Sequence, residues 1–184
     1  MATNLFCPGK LGLLTPFRFG KKPLLTTLGL SLAGGILFSL DYWTFGAVIP
    51  GIQESTAATL TPTVIAASVL YGGIVEELML RFFMMSIIAF VLWKLFARKA
   101  ETAPTAVIVA ANIIAVVLFA AGHLPATAML FGSLTPMILI RCFLLNGGFG
   151  LLFGWLYRKF GIQYAMVSHA AFHIVSKLIW LLFI

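Results

Sequence analysis

Residues 57–97, AATLTPTVIAASVLYGGIVEELMLRFFMMSIIAFVLWKLFA, contain no strongly polar interruption except Glu76, Glu77 and Arg81. At about 1.5 Å per residue this stretch makes roughly 60 Å of helix, twice a hydrocarbon core of about 30 Å. It must tilt strongly, break, or double back. Its internal breakers are Pro62 and the Gly72-Gly73 pair, and the break is expected at the glycines. That leaves a short piece from about Leu60 to Tyr71 and a full span from about Ile74 to Phe96, with the glutamates in its first turn.

The rest of the chain has the same character. It is 61% hydrophobic and 9% charged, with a mean hydropathy of +1.08, which places it among integral membrane proteins. The apolar runs are continuous rather than alternating, so the expected fold is an all-α polytopic transmembrane bundle and not a barrel. Other spans are expected at about Leu24 to Val48, Thr105 to Gly122, Pro136 to Tyr157 and Ile162 to Leu182, giving five to six membrane segments. Residues 1–22 read as a basic interfacial lead-in, and 23–184 as one transmembrane domain. A short loop is expected from Leu124 to Thr135. Cys7 and Cys142 are too few for a disulfide framework. The net charge of +7 lies beside apolar runs, which suits lipid headgroups and not nucleic acid.

If residues 57–97 cross once, Lys10, Arg18, Lys21, Lys22, Lys94, Arg98, Lys99, Arg158 and Lys159 share one side, the cytoplasmic one by the positive-inside rule. The glutamates then open to the other face. Doubling back at Gly72-Gly73 would turn them to the cytoplasm instead. A short re-entrant piece before Gly72 would reconcile the length with the charges.

Ionisable residues inside apolar segments cost a few kcal/mol each on insertion scales and mark function by default. On a helix, Glu77 and Arg81 are an i, i+4 pair able to share a salt bridge, whereas Glu76 points about 100° away. A carboxylate held in low dielectric is a candidate general base. His123 ends the run Val116-Val117-Leu118-Phe119-Ala120-Ala121-Gly122-His123. His169 and His173 lie one turn apart on the last helix, a spacing for two metal ligands or for two donors aimed at one oxyanion. The plainer readings are an ion pair fixing helix packing, an interfacial histidine, and core histidines bonded to carbonyls. Asn146-Gly147-Gly148, Gly150 and Gly154 read as small residues for close helix approach.

Taken in order, Glu76-Glu77-x-x-x-Arg81, Phe119-x-x-x-His123 and His169-x-x-x-His173 resemble the CPBP family of intramembrane proteases, which includes the CAAX-processing enzymes of the Rce1 type. The resemblance covers about Ile74 to the C-terminus, including the Gly-rich segment Asn146–Tyr157. It implies an endopeptidase acting on a membrane-anchored or membrane-proximal protein or peptide, in a bacterial or archaeal cell membrane. Glu76 and His123 would polarise the attacking water, and His169 would stabilise the oxyanion. His173 stands where the prenyl-protein processing members carry asparagine, and histidine can also donate there. Glu77 and Arg81 would be structural support. The resemblance admits metal-free, glutamate-activated water, which is the reading adopted, or Zn²⁺ on Glu76, His123, His169 and His173. Two other classes stay open: a non-catalytic binding or immunity protein of the same fold, and an ion transporter.

Overall fold

The computed structural model describes residues 8–13 and 15–184, so Cys7 and part of the basic lead-in lie outside the described residues. Among the described residues there is no strand, and five helices are long and apolar enough to cross a membrane. They are α1 (Lys21–Ala47), α2 (Pro62–Phe96), α3 (Thr105–Phe131), α4 (Pro136–Phe160) and α5 (Ile162–Phe183). A short helix, Ile52–Ala58, lies between α1 and α2. Gly161, at φ +114°, makes the turn from α4 into α5.

The expected break at Gly72-Gly73 does not occur. The chain stays helical from Pro62 to Phe96, with wider π turns over Ser68–Glu76 and Leu78–Met85. Magnitudes explain why. A helical glycine costs about 1 kcal/mol relative to alanine, whereas each backbone group left unpaired in lipid costs several kcal/mol. Two glycines cannot drive a break at that exchange. They serve an approach between helices instead. A Cβ on Gly73 would lie 2.8 Å from Ala170 Cβ, and one on Gly72 would lie 2.9 Å from His173 Nε2. The absence of side chains lets α5 pack directly against α2. Among the described residues there is no re-entrant piece, and α2 is one continuous helix long and apolar enough to cross a membrane.

The expected loop from Leu124 to Thr135 is also corrected. Helix resumes over Leu124–Phe131, and Gly132 ends it. Pro125 sits in the first turn of that continuation, where its missing N–H is not needed. His123 therefore lies at a joint inside α3 and not at the end of a span.

α1 has an apolar outer face and a buried face of small and hydroxyl residues. On α1, Leu25, Leu28, Leu32 and Ile36 face outward, while Thr27, Ser31, Gly34, Gly35 and Ser39 are buried. Small residues let backbones meet where lipid removes the usual hydrophobic drive between helices. The buried face of α1 runs parallel to α5: Ser31 Oγ donates to Ser168 Oγ at 3.0 Å, and Trp180 Nε1 donates to Ser39 O at 2.9 Å. α2 runs antiparallel to α5, so Gly73 meets Ala170 while Thr59 meets Lys177.

The tight core lies toward the end carrying the basic loops. Met85, Ala89 and Trp93 of α2 pack there with Ile108, Ala111 and Ala115 of α3, Phe153 and Tyr157 of α4, and Ala165 of α5. The lead-in is tied to that end: Gln163 Nε2 donates to Pro16 O and Arg18 O, and Tyr164 Oη donates to Arg18 O. The other half of the bundle is open, and the polar residues line that opening.

Candidate active site

Glu77 and Arg81 form the buried base of the site, with side chains 0% and 1% exposed. Arg81 Nε lies 3.2 Å from Glu77 Oε2, an ion pair set off the line of a good hydrogen bond. Arg81 Nη2 donates to Gly150 O of α4 at 2.8 Å. The arginine thus joins α2 to α4 and balances one glutamate, as the i, i+4 spacing suggests.

Glu77 does more than pair with the arginine. Its Oε1 accepts from His169 Nδ1 at 2.9 Å, which positions the imidazole from across the α2–α5 contact. With Nδ1 committed to Glu77, Nε2 is the nitrogen left for the cavity, and it lies 4.0 Å from Glu76 Oε2. The ring is stacked on Phe153, with centroids 4.5 Å apart, and on His173, at 5.0 Å. Glu76 is 18% exposed and lines the cavity.

His123 is oriented by its own helix. Its Nδ1 lies 2.9 Å from Phe119 O, four residues back. A carbonyl only accepts, so Nδ1 carries the proton and Nε2 of the neutral ring presents a lone pair.

These side chains meet in one cavity of about 370 Å³, lined by Glu76, His123, His169, His173, Asn146, Ser68 and Tyr71 among aromatic walls from Phe38, Phe119, Phe149 and Phe172. Three helices separated in sequence supply the four expected residues. Glu76 and His123 both line it, with no hydrogen bond or ion pair between them among the described residues. His173 Nδ1 is buried with no hydrogen-bond partner among the described residues. Asn146, read from sequence as part of a packing segment, lines the cavity and donates to Cys142 O. Gly150 and Gly154 keep the packing role, against Val116 and Asn112.

Zinc needs its nitrogen and oxygen ligands about 2.0–2.2 Å from one point. Among the described residues no three His, Cys, Asp or Glu side chains are gathered that way.

A second opening adjoins the first. An apolar groove of about 780 Å³ runs between α2 and α3, lined by Met79, Phe83, Leu118 and Ala126, and it shares Tyr71, Glu76, Phe119 and His123 with the cavity. Met79, Phe83 and Leu118 are exposed on the lipid-facing surface.

The geometry can now be set beside known proteins. The family described as type II CAAX prenyl endopeptidase Rce1-like matches residues 58–175. The chain belongs to the Rce1-like family. The matched segment begins well before Ile74, where the sequence resemblance was placed, and it takes in all four cavity residues. Membership makes this Rce1-like protein, at family level, a CAAX-type intramembrane protease, and with its five apolar helices a multi-pass membrane protein. Neither a curated protein nor a solved structure matches the chain.

Two charged features escaped the sequence reading. Asp41 of α1 is buried and held by Arg141 of α4, whose Nε donates to Asp41 Oδ1 at 2.8 Å. Lys177, one turn beyond His173, is 5% exposed. Both carried the signal that singled out the glutamates, an ionisable group inside an apolar run.

Proposed function

We propose that this protein is an intramembrane endopeptidase cleaving a membrane-anchored or membrane-proximal protein or peptide. The convergence of Glu76, His123, His169 and His173 on one cavity carries this reading. In it, Glu76 and the His123 Nε2 lone pair hold a water, and Glu76 takes its proton as the oxygen attacks the peptide carbonyl. The oxyanion forms beside His169 and His173, donors placed where negative charge develops. Glu76 then passes the proton to the departing amine nitrogen, and the amide C–N bond breaks. For His169 to donate from Nε2 while Nδ1 donates to Glu77, the ring must be imidazolium. Glu76, Glu77 and Arg81 together leave one negative charge to balance it.

The α2–α3 groove supports a substrate that arrives through lipid, because it opens among exposed apolar side chains and ends at Glu76. With α2 crossing once, the nine cations of the lead-in and basic loops share one end, which the positive-inside rule makes cytoplasmic. The cavity then opens on the opposite half of the membrane. A bacterial or archaeal cell membrane is the proposed setting.

The test is cleavage of lipid-anchored peptide libraries by purified wild type, Glu76→Gln and His123→Ala, each with and without a chelator. The expected result is cleavage by wild type alone, unaffected by chelator. Activity lost to chelator and restored by Zn²⁺ would overturn the metal-free mechanism, and equal cleavage by Glu76→Gln would overturn the assignment of Glu76.

A further inference from the structure

Beyond His173, α5 carries Lys177 into a second cavity of about 290 Å³, which shares Phe38, Ser68 and His173 with the catalytic one. Lys177 is 5% exposed, so its ammonium has left water. Such a group has three donors to satisfy. Among the described residues its one hydrogen bond is a long one, 3.4 Å to Thr59 Oγ1, and its Nζ lies 5.7 Å from the centre of the Trp180 ring. Among the described residues it has no carboxylate partner. The acid lining the same cavity, Asp41, has one oxygen accepting from Arg141 Nε and the other from Arg141 Nη2. Asp41 and Arg141 cancel, so the cavity keeps one uncompensated positive charge.

A buried cation without a counter-ion is costly in a bilayer and calls for an anion. We infer that Lys177 binds a carboxylate of the peptide substrate and so sets specificity on one side of the scissile bond. This rests on the peptidase reading of the adjoining site. The single residual charge matches a monoanion, and the two cavities adjoin at Phe38, Ser68 and His173, within reach of one extended peptide. Lys177 lies eight residues from His169, about 12 Å along the helix. That span equals a few residues of extended chain. The carboxylate is either the free C-terminus of the peptide or an acidic side chain.

The experiment is a binding measurement on the full chain in lipid nanodiscs, in the Glu76→Gln background so that turnover plays no part. The probes are three N-dodecanoyl tetra-alanine peptides: one ending in a free acid, one amidated, and one amidated with a glutamate replacing the last alanine. The expected result is about tenfold tighter binding of a carboxylate-bearing probe than of the plain amide, the scale of one charge-assisted hydrogen bond. Preference for the free acid assigns the C-terminus, and preference for the glutamate peptide assigns a side chain. Lys177→Met should abolish the preference and Lys177→Arg should retain it, which separates lost recognition from lost folding. Equal binding of all three probes, or a preference that survives Lys177→Met, would overturn the inference. Either result leaves the peptidase reading standing, because cleavage is measured separately.

Discussion

His169 Nδ1 lies 2.9 Å from Glu77 Oε1, and the same ring presents Nε2 at 4.0 Å from Glu76 Oε2. Adjacent glutamates of one helix thus grip one imidazole of another in different ways. The first faces the cavity, while the second is sealed in protein and held by Arg81. That division gives the pair two jobs that mutation can separate.

Glu77→Gln leaves an amide oxygen to accept from His169 Nδ1, but it also strands the buried Arg81 guanidinium, so both kcat and the melting temperature should fall. With the carboxylate gone, the charge that favours a donating Nε2 is lost. Single-turnover cleavage beside a thermal melt in detergent checks this, and wild-type kcat in the variant would sink the positioning role.

Arg81→Ala should instead act on stability. It strands the Glu77 carboxylate, and breaking a buried pair by removing one partner costs about 3–5 kcal/mol. Replacing both members, as Glu77→Leu with Arg81→Met, should recover much of the melting temperature without recovering activity. A double variant as unstable as the single one would contradict this account.

The glycine pair should split the same way. A Cβ at Gly73 meets Ala170 Cβ at 2.8 Å and its Cα at 3.1 Å, a rigid neighbour. Gly73→Ala should therefore lower stability by about 1–3 kcal/mol, the usual scale of overpacking. A Cβ at Gly72 meets the tips of His173 and His169, at 2.9 and 3.3 Å from their Nε2 atoms. Gly72→Ala should displace those rings, so activity falls more than the melting temperature. Comparing both readouts for both variants decides the matter.

Orientation is open to a direct test. With Cys7 and Cys142 replaced by alanine, single cysteines at Ser133 and at Ala100 should differ in intact cells. A membrane-impermeant maleimide should label the Ser133 position from outside and reach the Ala100 position only after lysis. The reverse pattern would place the cavity on the cytoplasmic half.

Much of this architecture was legible in the residues themselves. Long apolar runs predict helices because lipid offers the backbone no other partners, and three of the five spans fall close to their expected limits. The Glu76, His123, His169 and His173 set was visible because ionisable groups stand out against an apolar background. The Gly72-Gly73 break was misread for the opposite reason. Glycine marks weakness in water, where a broken helix is re-solvated, but in a bilayer the same pair marks a place where another helix comes close. Leu124–Phe131 was misread because Pro125 ends helices in general but is tolerated in the first turn of a new one.

By itself the sequence determined the class of the protein, its helices, its family and the residues able to do chemistry. These depend on local composition and on the cost of burying backbone and charge. Only the tertiary structure decided that His169 answers to Glu77, that Glu76 and His123 share one cavity, and that no carboxylate among the described residues pairs with Lys177. Those facts depend on which helix faces meet and at what register. Packing across the whole bundle sets that register, and no single stretch of chain contains it.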